Sequence, residues 1–376
     1  MASRRSTAAR PSKLTVAVTG PTGDIGRSLL RSLETSREVG RIRAMARRPF
    51  DPAAAGLRKT EYRQADVLDV AAVQEVLSGA DVVVHLAFLI MGGLEETRAI
   101  NLKGSRNVFD AAVAAGAQRL VYASSVAAYG FHSDNPELLT EEVIPRGTER
   151  HYYSAQKAEL ELTLLELLQG SSTEAYVFRP CIVAGPDAIT LVHSIPYIQL
   201  SERMPGAMLR ALELMPILKP VIPDPGVPFQ LVHHDDVATA LRAAVLGRGE
   251  PGVYNLAGPG TLTMSDLADA LGWYSIPLPE LAIDAAAELV ARLPFVPAEA
   301  QWIESLRRPV LMDTVKARRE LRWRPRHAAL ETLRTMNSST ASSEAVPISR
   351  ESSAAGRDPR SQICIIQNSE PRFAGR

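Results

Sequence analysis

The chain has 376 residues, of which 46% are hydrophobic and 22% charged, and its 42 basic side chains balance 42 acidic ones. A chain of this size exceeds one minimal core, so we expect a large α/β unit with a smaller lobe. Zero formal charge argues against nucleic acid as a partner, because binding a polyanion requires an excess of Lys and Arg. Cys181 and Cys364 match no metal or disulfide spacing, which favours a reducing, cytoplasmic setting.

The two ends of the chain differ in composition from the rest. Residues 1–13 carry three Arg among Ser and Ala without an apolar segment, which excludes a secretory signal and predicts a flexible arm, with a transit peptide as the alternative. Residues 337–376 include nine Ser and are predicted to form a disordered tail. The longest apolar runs are too short for a membrane-spanning helix, so no integral membrane segment is expected.

Apolar β-rich runs alternate with helix-period runs over residues 14–180, and this order predicts a parallel sheet covered by helices on both faces. We therefore expect a Rossmann-type doubly wound parallel sheet over 14–180, with a smaller C-terminal substrate-binding lobe mainly over 181–336. Further sheet and helix elements of the first unit are expected from about 229–258. The predicted strands are Leu14–Thr19, Ile42–Ala46, Tyr62–Ala65, Val82–Leu86, Leu120–Ala123, Tyr176–Phe178, Phe229–Val232 and Val253–Leu256. The predicted helices are Ile25–Leu33, Val70–Leu77, Thr97–Ala115, Ala155–Leu168, Val237–Leu246, Met264–Leu271, Lys316–Leu321 and Ala328–Arg334.

A glycine-rich turn follows the first predicted strand and precedes the first predicted helix. Gly20 permits the tight turn, Gly23 lets backbone N–H groups approach a pyrophosphate, and Gly26 lets helix and strand pack closely. The position between strand and helix favours dinucleotide binding over an ordinary turn. The residues expected to contact the cofactor here are Gly20, Thr22, Gly23, Asp24, Ile25 and Gly26.

Charged residues after the second and third strands suggest which dinucleotide binds. Arg47 and Arg48 stand where an NAD site usually has a carboxylate, and an Arg pair suits a 2′-phosphate, so NADP is preferred over NAD. A solvated basic corner is the alternative. Asp66 and Val67, at the end of the third strand, are expected to contact the adenine end, with a helix cap as the other interpretation of Asp66.

A Tyr/Lys pair and a serine form the candidate catalytic set. Tyr153 and Lys157 are four residues apart, hence on one face of a helix. The neighbouring ammonium is expected to lower the pKa of the phenol and make it a general acid/base. Ser125, at the end of the fifth strand, could hold the reacting oxygen of a substrate.

Glycine turn, Ser and Tyr/Lys in this order resemble an extended short-chain dehydrogenase/reductase of the NAD(P)-dependent epimerase/dehydratase family. The likeness includes three further elements, His85-Leu86-Ala87, Asn101-Leu102-Lys103-Gly104-Ser105-Arg106-Asn107 and Arg179-Pro180 with Gly185-Pro186. The resemblance implies catalysis by Tyr153, with Lys157 as partner and ribose ligand, and with Ser125 holding the substrate oxygen. It also implies a structural and proton-relay role for Asn101, cofactor contacts for Leu86, Ala87 and Pro180, and a possible homodimer.

Two departures from that family bear on the substrate. Phe229-Gln230-Leu231 stands where members acting on nucleotide-sugars often have Arg-Asp-Phe, so the cation that would grip a diphosphate is missing, although Arg203 or Arg210 could substitute. Phe88 replaces a small residue. With the Met-rich run over 204–215 it indicates an apolar cavity, unless these residues form the core of the lobe.

These observations predict hydride transfer with NADP or NAD at a hydroxyl-bearing carbon of a small molecule that is not a standard nucleotide-sugar. A nucleotide-sugar epimerase or dehydratase, and a non-catalytic dinucleotide sensor or assembly factor, are the alternatives. No metal is expected: His233 and His234 are adjacent on a predicted strand, so their side chains should point to opposite faces. Asp236 is expected to cap the helix that starts at Val237.

Overall fold

The computed structural model describes residues 13–90, 92–188, 219–279 and 308–343. Almost all of the predicted N-terminal arm, the tail beyond 343, the run over 204–215, and Arg203 and Arg210 lie outside this part of the chain. Within it, no helix combines the length and apolar character that crossing a membrane requires.

Seven parallel strands form the central sheet, in the order β10-β6-β5-β4-β1-β2-β3. This is the predicted Rossmann-type order, in which the chain winds outwards in both directions from β1. The strands are β1 (Leu14–Thr19), β2 (Val39–Ala46), β3 (Thr60–Gln64), β4 (Val82–His85), β5 (Arg119–Ala123), β6 (Glu174–Pro180) and β10 (Gly252–Leu256).

Helices cover both faces of this sheet because its inner strands, such as β1, β4 and β5, are apolar on both sides. Val16 and Val18 point into the core under α1 (Asp24–Glu34) and α6 (His234–Val245). Ala17 points into the opposite core, which packs on α2 (Val70–Leu77), α4 (Ser105–Ala114) and α5 (Tyr152–Leu167).

Short elements build the described part of the second lobe. A third apolar core, which includes Leu262, Leu267 and Leu333, joins its helices to its strands. The strands are β7 (Ile182–Ala184), β8 (Val221–Asp224), β9 (Leu231–His233) and β11 (Tyr274–Pro277), and they pair as β7 with β9 and β8 with β11. The helices of this core are α7 (Met264–Leu271) and α9 (Ala329–Ser343), whereas α8 (Val315–Glu320) places Ala317 in the core under α1 and α6.

Several elements differ from the sequence expectation. The strands β2 and β6 and the helices α5 and α6 begin two or three residues earlier than predicted, and β7, β8 and β11 were not predicted. Two helical segments differ further. The single helix expected over 97–115 is broken into α3 (Leu94–Arg98), a π-helix over Ala99–Gly104 and then α4. A π-turn changes the hydrogen-bonding register without interrupting the apolar periodicity, so the sequence does not reveal it. The last helix, α9, runs to Ser343, past position 337, where the disordered tail was expected to begin.

Candidate active site

The predicted site residues lie along one edge of the sheet, where β1 to β6 end. The glycine turn follows β1, Arg47 and Arg48 follow β2, and Asp66 and Val67 follow β3. Leu86 and Ala87 follow β4, Ser125 follows β5, and Pro180 ends β6. The carboxyl edge of a doubly wound sheet is where such folds bind ligands.

The glycine turn is shaped by close backbone approaches. Gly20 has φ +74°, and a Cβ there would lie 2.6 Å from Ala87 N. A Cβ on Gly26 would lie 2.3 Å from Gly20 O, so helix and turn are in contact. Gly23 differs, because a Cβ there would meet nothing nearer than Gly20 O at 3.6 Å, and as the N-cap of α1 it has no side chain to bond the first backbone N–H groups. The turn thus leaves open space before a helix N-terminus, which fits the pyrophosphate of a dinucleotide.

The two arginines after β2 are exposed, while their backbone is fixed. Tyr62 donates a hydrogen bond to Arg48 O, and Gln64 Nε2 donates to Arg47 O at 2.9 Å. Within the described part of the chain, neither guanidinium has an ion-pair partner. Asp66 does not cap α2, since Asp69 does so by accepting from Ala72 N at 3.0 Å.

The structure brings Tyr153, Lys157 and Ser125 together. Tyr153 lies in the first turn of α5, and a hydrogen bond links its hydroxyl to Ser125. Lys157 follows one turn later, 3% exposed, and its Nζ donates to Ala123 O at 2.8 Å. The end of β5 thus binds Tyr153 through the Ser125 hydroxyl and Lys157 through the Ala123 carbonyl.

The pKa of Tyr153 was expected to fall, but in the structure it is raised. Burial raises the pKa of Tyr153, and the hydrogen bond from Ser125 offsets only part of that effect. Lys157 does not lower it: its ammonium is 5.9 Å from the ring centroid and is bound to Ala123 O. Burial also lowers the pKa of Lys157 to about 7, against the opposing charge of Glu161.

Phe88 lies directly on the catalytic candidates. Lys157 Nζ is 3.7 Å from the Phe88 ring centroid, a cation–π contact. The same ring meets Tyr153 edge to face, with centroids 5.4 Å apart. One apolar side chain therefore forms the wall beside both groups.

Asn101 fixes the segment that carries Phe88. It lies in the π-helix, fully buried, and its Oδ1 accepts from Leu89 N at 2.7 Å while Nδ2 donates to Leu89 O at 2.9 Å. Nδ2 also donates to Gln156 Oε1 at 2.8 Å on α5. These contacts support the structural half of the expected role; proton relay by Asn101 stays a prediction.

The histidine pair does not lie as expected. His233 ends β9 and His234 begins α6, so their rings do not point to opposite faces but lie 4.2 Å apart. Their ligand atoms come within 4.8 Å of one another and of Asp235. However, His234 Nδ1 already bonds Ser28 Oγ at 2.7 Å, and the Arg31 guanidinium lies 3.8 Å from Asp235 Oδ1, which opposes a cation there.

Asp236 does not cap α6 as expected, since His233 is the N-cap of that helix. Asp236 has a different structural role. The buried Asp236 carboxylate accepts from Arg326 N at 2.9 Å, and from His327 N and Nδ1, both at 3.1 Å. Its backbone carbonyl accepts from Trp323 Nε1 at 2.9 Å. Asp236 therefore fastens the C-terminal segment to the start of α6.

At Phe229 and Gln230, where the cation that could bind a diphosphate is missing, both side chains make structural contacts. Phe229 packs against the core of the second lobe and bridges to Leu262 by two backbone hydrogen bonds. The Gln230 side chain bonds the backbone of Met312: its Oε1 accepts from Met312 N at 2.8 Å, and its Nε2 donates to Met312 O at 3.2 Å. Neither side chain offers a charge to a diphosphate.

A buried ion pair behind the site was not foreseen from the sequence. Glu161, 3% exposed, accepts from Arg179 Nη2 at 2.5 Å and from Arg179 Nε at 3.0 Å. Ser124 Oγ also donates to Glu161 at 2.5 Å. Arg179 therefore points to α5, away from the role implied by its resemblance motif. The spacing of Tyr153, Lys157 and Glu161, four residues each, could have shown that Glu161 shares a helix face with the catalytic candidates, but it does not indicate Arg179.

The NAD dependent epimerase/dehydratase family model matches residues 16–257, and the chain belongs to this family. The expected family, the Rossmann-type fold and the enzyme class are thereby confirmed. The chain is an NAD(P)-dependent enzyme, an oxidoreductase or an epimerase/dehydratase, and its cofactor is a nicotinamide dinucleotide.

Curated relatives have diverse names. An uncharacterized protein, y4nG, of Sinorhizobium fredii is 27% identical over 84% of this chain and 75% of its own length. Sterol demethylase protein B of Methylococcus capsulatus is 28% identical over 46% of this chain and 52% of its own. Cinnamoyl-CoA reductase 1 of Petunia hybrida is 28% identical over 48% of this chain and 57% of its own. The chain thus aligns with only about half the length of the two relatives that have a named activity.

Solved structures support the fold. UDP-glucuronic acid 4-epimerase from Bacillus cereus, in complex with NAD, has a TM-score of 0.65 to this chain at 16% identity, covering 88% of this chain and 99% of that one. At that identity the likeness establishes the architecture alone.

Proposed function

We propose that this chain is an NAD(P)-dependent oxidoreductase that transfers hydride at a hydroxyl-bearing carbon of an apolar substrate, such as a sterol or an aromatic compound. The observation that carries the proposal is the Tyr153–Ser125 hydrogen bond with Lys157 beside it and Phe88 lying on both Tyr153 and Lys157. The names of the sterol and cinnamoyl-CoA relatives point to the same class of substrate.

Each residue has a defined task in this proposal. The bound nicotinamide supplies or accepts the hydride. Tyr153, protonated at neutral pH because burial raises its pKa, donates a proton to the carbonyl oxygen in reduction. In oxidation the phenolate form of Tyr153 takes the hydroxyl proton, and the hydrogen bond from Ser125 favours that form. Ser125 hydrogen-bonds the same oxygen and stabilises its developing charge.

The cofactor residues are proposed as follows. The turn from Gly20 to Gly26 holds the pyrophosphate, and Asp66 with Val67 lies at the adenine end. Leu86, Ala87 and Pro180 line the path to the nicotinamide. The guanidinium groups of Arg47 and Arg48 have no ion-pair partner among the described residues, and they favour NADP over NAD because a 2′-phosphate would give them an anionic partner.

A homodimer is also proposed. Leu162 and Leu165 on α5 are 50% and 61% exposed, and a partner subunit would remove this apolar surface from water. A cytoplasmic location stays a prediction.

The test is a substrate panel with the purified chain. A 3β-hydroxysterol, cinnamoyl-CoA and UDP-glucuronic acid are each supplied with NAD(H) and NADP(H). Nicotinamide absorbance detects net oxidation or reduction, and chromatography of the products detects epimerisation or dehydration, which return the hydride to the substrate and leave the absorbance unchanged. We expect turnover with an apolar compound, and Tyr153→Phe should reduce it by about 10²- to 10⁴-fold, the usual contribution of acid–base catalysis. Turnover confined to the UDP-sugar would support the epimerase or dehydratase alternative, and unchanged turnover in Tyr153→Phe would refute the catalytic role.

A further inference from the structure

Three residues at the end of β5 are matched with three residues of α5. Ser125 bonds Tyr153, Ala123 O accepts from Lys157, and Ser124 donates to Glu161. The helix residues are four apart, so they lie on one face, and the strand residues are consecutive. The third contact, Ser124 to Glu161, joins the same strand end to the same helix as the two contacts that hold the catalytic candidates.

Glu161 is the most firmly held member of this set. Its carboxylate receives Arg179 Nε and Nη2 as well as Ser124 Oγ, all within 3.2 Å. A buried carboxylate with this many charge-assisted hydrogen bonds is a rigid point. Movement of the end of β5 relative to α5 would break the Ser124 bond, while the Arg179 bonds fix the same carboxylate to β6.

Charge gives Glu161 a second effect on the site. Lys157, Glu161 and Arg179 are each at most 3% exposed, so two buried cations share one anion. The other titratable groups facing Lys157 are neutral: burial lowers the pKa of His85 on β4 to about 3 and raises the pKa of Tyr122 on β5 and of Tyr153 on α5. Among the described residues, Glu161 is therefore the anion that favours the ammonium form of Lys157.

We propose that Glu161 is a positioning residue: it clamps the end of β5 to α5, so that Ser125 and Ala123 O hold Tyr153 and Lys157 in place, and its charge keeps Lys157 protonated. The proposal rests on the proposed function, in which Tyr153 and Lys157 carry the chemistry. Arg179 is the counterion that allows the carboxylate to be buried.

The first test needs no substrate. The chain has six lysines, and ¹³Cε NMR titration of the cofactor-free protein follows each of them, with Lys157→Met assigning the Lys157 signal. We expect Lys157 to titrate at about 7 in the wild type and about 1 pH unit lower in Glu161→Gln, because an opposite charge at this range shifts a pKa by about 1 to 3 units. Glu159→Gln, an exposed position on the same helix, is the control and should leave the midpoint unchanged. A wild-type midpoint in Glu161→Gln would overturn the electrostatic half of the proposal.

The second test is kinetic and uses whichever panel compound turns over. Glu161→Gln should lower kcat by about 10- to 100-fold, since a misplacement of 1 Å can cost about 10²-fold, and should leave KM within about threefold because Glu161 is not proposed to touch the substrate. The alkaline limb of the kcat profile should move to lower pH together with the Lys157 midpoint. Glu159→Gln should match the wild type, and equal kcat in Glu161→Gln would overturn the positioning role.

A folding defect is controlled by a second variant. Glu161→Gln leaves the Arg179 charge unpaired, whereas Glu161→Gln/Arg179→Met removes both charges, which is often neutral for stability. A merely structural role predicts wild-type pH profile and kcat in the folded double variant; the proposal predicts that both stay shifted. Tyr153→Phe separates the two hypotheses: if it retains turnover, the proposed function fails, whereas an inactive Tyr153→Phe beside a normal Glu161→Gln refutes only the role of Glu161.

Discussion

Replacing Lys157 by Met should make the protein more stable while making it inactive. The pKa of Lys157 falls from 10.5 to about 7 on folding because its ammonium is buried. Each pH unit corresponds to about 1.4 kcal/mol, so burying this charge costs the folded state about 5 kcal/mol. Met has nearly the same length and no charge, but it leaves Ala123 O without its donor, which costs about 1 kcal/mol. The expected net gain is about 4 kcal/mol.

The pH dependence of the stability gained in Lys157→Met shows whether the buried ammonium is its cause. Below about pH 7 the lysine is protonated in both the folded and the unfolded state, so the full cost is present. Between about pH 7 and 10.5 the folded chain has lost this proton while the unfolded chain keeps it, so the cost shrinks as the pH rises. The advantage of Lys157→Met should therefore be largest below about pH 7 and disappear towards pH 10.5.

Denaturant unfolding of both proteins at several pH values measures this difference. Lys103→Met, at a residue outside the buried cores, is the control and should change stability by less than about 0.5 kcal/mol. If Lys157→Met is no more stable than the wild type at about pH 6, or if its advantage does not shrink with rising pH, the ammonium is not the buried cost assigned to it.

Three further outcomes are expected. Gly23→Ala should fold normally, since its Cβ meets only Gly20 O at 3.6 Å, yet bind NADPH at least about tenfold more weakly in a fluorescence titration because the methyl occupies the space offered to the pyrophosphate; Gly93→Ala, also unhindered, is the control, and equal affinity would show that the turn does not hold the cofactor. Arg47→Ala/Arg48→Ala should weaken NADPH binding about tenfold or more and leave NADH binding unchanged; equal losses for both would disprove the assigned phosphate preference. Phe88→Ser should lower kcat/KM for an apolar substrate by about tenfold, because the substrate would lose apolar contact with the ring. An unchanged preference between the 3β-hydroxysterol and UDP-glucuronic acid would refute the role of Phe88 in specificity.

Much of the fold follows from periodicity, because the buried strands and amphipathic helices are determined by local sequence. β1 and α2 have the bounds that the apolar runs indicate, and the glycine turn falls between β1 and α1 as its residues require. The π-helix that carries Asn101 was missed, since one altered turn leaves the apolar pattern intact.

The site was less accessible to sequence reasoning, because its energetics depend on burial and on distant partners. The pair of Tyr153 and Lys157 could be found from spacing, but the direction in which the pKa of Tyr153 moves depends on how deeply the phenol is buried. Glu161 lies on α5 and its partner Arg179 on β6, a pairing that no local pattern indicates. The orientation of the two histidines was wrong because they do not lie together on a strand: His233 ends β9 and His234 begins α6.

Asp236 gives the catalytic unit a longer minimum length than the family match suggests. The matched region ends at 257, yet the buried Asp236 carboxylate takes its donors from Arg326 and His327, nearly 70 residues further on. A fragment cut at the end of the match would leave that carboxylate buried without its donors, a defect worth several kcal/mol. Gene fusions or trimmed versions of this enzyme must therefore retain the segment from Trp323 to His327, even though it lies far along the chain from the glycine turn.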